Sequence, residues 1–394
     1  MKHVVVIVPV LTGSSQINVV RPLRELEEQG AISLTVTTEG LVNPQTVVSA
    51  DVLVACRNME LNSRAIFGFA QSLGIPWLYD LDDNLWEVPA GQAHSAYHNH
   101  PVRQEMLEWM LRNAQRVRVH SPRLREIVAP FNSSITLARA AVDWSLVPDT
   151  LPELSPGLVH IVYPTSRSAG DPLFDQMRSD LVELVNLPDM PLRLHIMGAD
   201  PGDLKRHPKV VFRRFDDNYS LWFSEFTRFG YAIGLAPILR DAHHDSKTDT
   251  KFRDYAAAGA AGIYQDSPVY WPSVKDGETG LLVSGEPGSW VAAIRRLIDN
   301  PALIETIRHN AVTLARSRNS IEQAQESWLS DISAAPFRPP VPDDLTLPRW
   351  SFTVKPDHWS QRIKPLARRY VPARLRIALR NLDLNFRIWL RRAP

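Results

Sequence analysis

The sequence holds a single cysteine, Cys56, in 394 residues. One thiol cannot build a disulfide framework within a chain, so stability must come from packed cores, and a reducing cytoplasm is the simplest setting. Cys56 itself reads as a small buried hydrophobe at a strand end, with a reactive thiol as the alternative. No apolar run approaches the ~20 residues that a spanning helix needs. The opening MKHVVVIVPVL is short, β-branched and interrupted by Pro9, and it leads into TGSS without a small-residue cleavage site. It predicts a first buried strand, not a signal peptide. Also missing are an internal repeat, a zinc-ligand spacing, a Walker A loop and a GxSxG elbow. After the first strand, TGSSQ stands where a GxGxxG fingerprint would, which argues against a dinucleotide-dependent dehydrogenase.

What is present is an ordinary globular composition with an uneven charge distribution. Net charge is +1, yet residues 345–394 carry twelve Lys and Arg against only Asp357 and Asp383, a balance of +10. The rest of the chain therefore sums to −9. An acidic body with a basic tail signals a binding partner.

Along the chain, short apolar runs alternate with helical patterns. Residues 4–10 (VVVIVPV), SLTVTTE, DVLVAC, IPWLYDLDD, RVRVHS and SITLARAAVD read as strands, with helices over 19–29, 63–73 and 103–114. DTLPELSPG, residues 149–157, reads as a linker. Beyond it LVHIVYP, LRLHIMG, KVVFRRF, YAIGLAPI, GIYQD and TGLLVS are strands, with helices over 172–185, 221–229, 289–299 and 301–316. FRPPVPDDLTLP is an extended proline-rich link. The expected architecture is α/β: two Rossmann-like, doubly wound parallel-sheet domains, 1–150 and 156–334, facing a cleft, followed by a basic helical tail over 335–394.

The segment SKTDTKFRDYAAAG, residues 246–259, carries the most specific chemistry. It predicts a helix capped by Ser246 or Thr248 whose N-terminus offers free N–H groups to phosphate. Lys247 and Lys251, four apart, would share one face and meet a diphosphate. The alanines would let the helix pack close to a neighbour or ligand. A solvated helix face with a small-residue packing seam explains the same residues.

Residues 246 onward, through KDGETGLLV and SWVAAIRRLIDNP, resemble the donor-binding region of GT-B glycosyltransferases, closest to the family 4, "group 1" enzymes of bacterial surface-polysaccharide clusters. YDLDDNLW, residues 79–86, is similar to an N-terminal motif of the same group, and the resemblance spans roughly residues 1–330. It implies a retaining, metal-independent transfer of a sugar from a nucleotide-sugar to a polysaccharide or O-antigen type acceptor that is polyprenyl-linked, with no cofactor. The family's pair of glutamates, eight positions apart, falls at Ser246 and Asp254. Asp254 keeps the carboxylate, for the ribose hydroxyls; Ser246 does not, and the adjacent Asp245 is the candidate for the donor-sugar contact. A GT-B epimerase and a pseudoenzyme that scaffolds a polysaccharide assembly complex are the other readings, the second supported by Ser246.

A nucleoside diphosphate leaves with growing negative charge, which cations and helix dipoles stabilise. Lys247, Lys251 and Arg167 in YPTSRSAGD are the candidates, with Gly13 of the TGSS turn added to the donor-side set; a solvated loop arginine explains Arg167 equally. Asp80, Asp82 and Asp83 contain an Asp-x-Asp, but at a strand end they favour acceptor-side or structural hydrogen bonding over a metal, and Arg57 joins this acceptor-side set. Among histidines, His244 and His98 rank first as catalytic candidates. His94, His100 and His243 are weaker, no zinc spacing links them, and His120 reads as an ordinary strand-end residue.

In the tail, arginines alternate with Trp, Leu, Ile, Tyr and Phe. From Pro372 on a helix would gather Leu375, Leu379, Leu382 and Phe386 on one side and arginines on the rest, the pattern of an interfacial helix on an anionic membrane. Docking back on the acidic body or disorder are the alternatives, and no nucleic-acid-reading motif accompanies the basic charge. The expected place is the cytoplasm, peripheral to the inner face of the plasma membrane.

Overall fold

The computed structural model describes residues 1–90, 92, 95–214 and 218–350. The basic tail from residue 351 on, with its amphipathic helix, and His94 lie outside the described residues. The chain forms two compact units: Met1–Ala138 together with the residues from Gln325 onward, and Arg139–Ala324.

The first unit is built on strands β1 (Lys2–Val8), β2 (Ile32–Thr38), β3 (Val52–Cys56), β4 (Trp77–Leu81), β5 (Arg116–Val119) and β6 (Ile135–Leu137), in the order β2-β1-β3-β4-β5-β6. All pairings are parallel. The continuous apolar runs follow from burial on both faces. Along β1, Val4, Val6 and Val8 enter one core with Val52, Val54 and Leu78, while Val5 and Ile7 enter the other with Leu53, Ala55, Tyr79 and Phe67. Period-two alternation thus divides one strand between two cores.

The helix after β1 is not uniform: a turn over Gly13–Ser15, capped by Thr12, passes into a π segment over Gln16–Val20 and then a regular helix over Arg21–Glu28. The carbonyl of Asn18, within the π segment, accepts the indole N–H of Trp328 at 2.8 Å. Trp328 belongs to the helix Ile321–Ala334 and is fully buried beside Ile332 against Val4, Val6 and Leu23. The chain therefore returns to the first unit before the domain boundary expected at Ala334. Beyond this helix, Lys2 Nζ donates to the carbonyls of Ile332 and Ala335, Arg338 pairs with Asp51 at 3.2 Å, and Trp350 meets Phe69 edge-on at 5.9 Å. The proline-rich link is a strap laid on the first unit.

The second unit carries β7 (Val159–Thr165), β8 (Leu192–Gly198), β9 (Val210–Arg214), β10 (Ile233–Ala236), β11 (Ala261–Gln265) and β12 (Leu281–Val283), again all parallel, in the order β12-β11-β10-β7-β8-β9. Helices Pro172–Asn186 and Ser289–Ile298 cover one face through Phe174, Met177, Leu181, Trp290 and Ile294. Thr250–Ala258 and Pro301–Arg318 cover the other through Phe252, Tyr255, Ala311 and Ala315.

The small-residue seam is real. Tyr255 lies so close over β10 that a Cβ on Gly234 would stand 2.6 Å from its ring, and its hydroxyl donates to the Leu235 carbonyl. Ala256, Ala257 and Ala258 are buried, and Gly259 ends the helix at φ 61°, a left-handed conformation that glycine adopts without penalty.

Candidate functional site

In the second unit the polar residues collect where parallel strands end, as ligand sites of such sheets do. After β7 the chain turns at Arg167, whose N–H donates to Thr165 Oγ1 at 3.0 Å and whose guanidinium lies 3.7 Å from Asp171. Asp171 in turn caps the helix Pro172–Asn186 by accepting from the Leu173 N–H. After β10, Asp241 caps the short helix Ala242–Asp245, and its carboxylate takes both the backbone N–H and Nδ1 of His244 at 2.8 Å. Burial lowers the pKa of His244 against the pull of Asp241, and the positive charges of Lys247 and Arg167 push it the same way as burial. Arg167, remote in sequence, therefore acts on His244 in the same sense as the nearby Lys247.

The helix expected from Ser246 starts later. Ser246 closes the preceding short helix, is fully buried, and its hydroxyl donates to the His243 carbonyl at 2.8 Å. The following helix runs Thr250–Ala258 with Asp249 at its cap position. The reason is tertiary. Buried Arg253 donates to the hydroxyls of Thr248 and Thr250 and lies 3.4 Å from Asp249, which also accepts from Ser273. Neither Ser246 nor Thr248 caps it, and Lys247 lies outside it, so Lys247 and Lys251 do not share a helix face. Lys251 instead pairs with Asp254 at 3.1 Å.

Asp245 is partly exposed and is held by Arg240 at 3.2 Å, with Ser267 Oγ at 3.5 Å. Arg240 also donates to the Asp266 carbonyl at 3.0 Å, tying the exit of β10 to that of β11. Sequence reasoning missed Arg240; its position five residues before Asp245 was the only local signal.

Gly13 belongs to the first unit, at the exposed start of the helix after β1, whereas the other donor-side candidates belong to the second. The acceptor-side candidates also stand at this unit's strand ends. Arg57, directly after β3, is the one non-glycine among the described residues with positive φ, at 57°. It donates through Nε and Nη2 to Asp82, and through Nη2 to Asp83 at 2.9 Å. Burial alone would raise the pKa of Asp82, but the charge and hydrogen bonds of Arg57 outweigh it and hold the carboxyl low.

Asp80, inside β4, is separately engaged: it accepts from His120 Nε2 at 2.9 Å and lies 3.9 Å from Arg118 and from the Cys56 thiol. Cys56 is buried at the end of β3, and burial pushes its thiol well up, so it is the packed residue and not a thiolate. His120 is more than an ordinary strand-end histidine, being buried against Asp80. Asp80 and Asp82 thus serve different networks, and among the described residues no three His, Cys, Asp or Glu side chains are grouped as metal ligands would be. His98 ends the short helix Ser95–His98, its ring edge-on to Tyr97 at 5.0 Å.

Glu39 was missed altogether. It follows β2, is almost wholly buried, and accepts from Ser63 Oγ and Asn58 Nδ2. Among the described residues no helix is long and apolar enough to cross a membrane.

No protein-family model matches the chain, and no curated protein matches its sequence. Solved structures do. HepE of Anabaena, crystallised in complex with UDP and glucose, superposes with a TM-score of 0.61 at 15% identity, covering 85% of this chain and 100% of that one. Sucrose-phosphate synthase of Thermosynechococcus elongatus gives 0.60 at 15%, with the same coverage of 85% and 100%. Trehalose-6-phosphate synthase, studied for glycosyl transfer with retention, gives 0.57 at 12%, covering 86% of this chain and 100% of its own. At such identities the likeness concerns the fold. The two parallel six-stranded α/β units are those of the GT-B glycosyltransferase fold.

Proposed function

We propose that the chain is a glycosyltransferase that moves a hexose-type sugar from a nucleotide-sugar, bound by the second unit, to a glycan of the bacterial surface. The observation that carries the reading is the joint action of Arg167 and Lys247, at the carboxyl ends of β7 and β10, on His244. Fixed positive charge there matches the charge that develops on a departing nucleoside diphosphate, and cations already in place need no reorganisation during the reaction. On this reading Arg167 and Lys247 face the diphosphate, Asp254 the ribose hydroxyls, and Asp245, oriented by Arg240, the donor sugar. Transfer proceeds with retention and without a metal, because the protein's own cations do the neutralising.

The acceptor is polyprenyl-linked and met at the inner face of the plasma membrane, where the basic segment 345–394 holds the protein by its charge. Loss of sedimentation with anionic liposomes on deleting 345–394 tests that part; unchanged sedimentation overturns it.

The test of the transferase reading is a panel of UDP-, GDP- and dTDP-sugars, followed by binding and hydrolysis. One donor should bind, and Lys247→Ala should weaken it about 10- to 100-fold, the worth of one charge-assisted hydrogen bond. Failure of every donor to bind ends the proposal. A second reading is a pseudoenzyme that scaffolds polysaccharide assembly. It is favoured by Ser246, whose buried hydroxyl is spent on the His243 carbonyl at the position where the resemblance calls for an acid. Donor binding without turnover would select it.

A further inference from the structure

We propose that a cleft on the second unit, remote from the donor-side residues, is a docking site for a linear segment of a partner protein: an extended peptide with a carboxylate at one end and an ammonium group at the other.

The cleft, of about 720 Å³, lies between residues 147–154 and one face of the helix Pro301–Arg318. That is the size of an ordinary ligand site. Residues 147–154 lead to the amino end of β7, Gly230 to that of β10 and Gly259 to that of β11. Arg167 and Lys247 follow the carboxyl ends of β7 and β10, so the parallel sheet puts about a strand's length, ~15–20 Å, between them and the cleft. An occupant of the cleft is therefore not the sugar donor.

Both walls are fixed. Buried Arg308 donates from Nη1 to Glu305 and from Nη2 to the Pro152 carbonyl, each at 2.6 Å, and from Nε to the Gly259 carbonyl. Gly230 approaches the same wall so closely that a Cβ there would stand 2.5 Å from the Glu153 carbonyl oxygen. At the other end Thr227 Oγ1 donates to the Leu146 carbonyl and the Trp144 indole to that of Asn319, each at 3.1 Å. A groove held open at both ends binds without first being built. Between these anchors the N–H groups of Thr150, Leu151, Glu153 and Leu154 have no main-chain partner among the described residues. Such a stretch offers donors to an extended peptide, as an open sheet edge does.

Charge selects the peptide. Glu305, Arg308, His309, Val312 and Arg316 share one helix face by their spacing of three and four. Arg308 is neutralised by Glu305, but Arg316 has no carboxylate partner among the described residues. Its guanidinium lies over the Trp144 ring at 4.4 Å, which presents the planar fork to a carboxylate. On the opposite wall Asp149 and Glu153 are exposed and have no cationic partner among the described residues. Opposite charges thus line one cleft without pairing with each other, and Val147, Leu151 and Val312 supply apolar surface between them. A ligand of one sign meets repulsion from one wall; a segment with both signs, separated by apolar residues, pairs with each. At 1.5 Å per residue Glu305 to Arg316 spans ~16 Å, the length of about five extended residues.

The experiment uses the full chain labelled with 5-fluorotryptophan, the Trp144 fluorine resonance being assigned by its loss in Trp144→Phe. Capped pentapeptides with glutamate at one end and lysine at the other, in both orders and with Leu, Val or Ala between, are titrated beside the same peptides with glutamine at both ends. At least one charged peptide should move the resonance saturably. Its affinity should fall about 10-fold in Arg316→Gln, and again in an Asp149→Asn, Glu153→Gln double variant, the effect of one charge-assisted hydrogen bond. All three side chains are exposed, so these variants keep the fold. No saturable shift from any charged peptide, equal binding of the glutamine peptides, or variants that bind as wild type each overturn the proposal.

Discussion

Asp331→Asn should cost the first unit about 3 kcal/mol of stability, a large share of the ~5–15 kcal/mol that holds a domain folded. Asp331 and Arg118 are 3% and 2% exposed and form a direct ion pair. Arg116 at 2.8 Å and Thr136 at 2.9 Å share the other carboxylate oxygen. Removing one partner of such a pair leaves an uncompensated buried charge, worth ~3–5 kcal/mol. The lower end applies because Arg118 keeps the Ser327 carbonyl and hydroxyl at 3.2 and 3.1 Å and the Trp328 ring at 3.9 Å. Asparagine also still offers an oxygen to Thr136. Burial already lowers the Arg118 pKa in spite of Asp331 and Asp80, so losing one carboxylate deepens an existing cost. Urea unfolding, read on the transition of the first unit, gives the number, and an Arg118→Met, Asp331→Leu pair gives the control. Replacing the whole ion pair by apolar groups should recover stability to within ~1 kcal/mol of wild type. A loss below ~1 kcal/mol in Asp331→Asn, or a double variant no better than the single one, would refute the reasoning.

Two further outcomes follow from the second unit. His160 Nδ1 and His195 Nε2 lie 2.8 Å apart, and burial lowers both pKa values from 6.5, that of His195 to about 4. Folded values below the unfolded one mean that the neutral pair contributes fully above pH 6.5, and that this contribution is lost as pH falls from 6.5 toward 4. In His195→Phe the urea midpoint should change less over that window than in wild type; parallel curves would exclude the pair as the cause. Gly198→Ala should cost more than ~2 kcal/mol by urea unfolding, since φ is 114° and a Cβ would stand 2.2 Å from the Thr165 carbonyl oxygen. A loss within experimental error would show that the exit of β8 can move.

The sheets were legible because buried parallel strands announce themselves locally: VVVIVPV and DVLVAC need no knowledge of their partners to read as strands. What escaped depends on residues far apart in the chain. The start of the helix Thr250–Ala258 is set by Arg253, anchored on the Ala141 carbonyl at 3.4 Å, and by Ser273 on Asp249, so capping rules applied to SKTDT placed the cap at Ser246 or Thr248, short of Asp249. RVRVH read correctly as a strand, but its arginines gave no hint that a helix more than two hundred residues later covers them. The signal was on the other partner: Asp331 is three residues from Trp328 and one from Ile332, so a carboxylate stands on the apolar face of its helix and demands a buried cation. Asp331 has both oxygens committed to Arg116, Thr136 and Arg118, and its work is architectural.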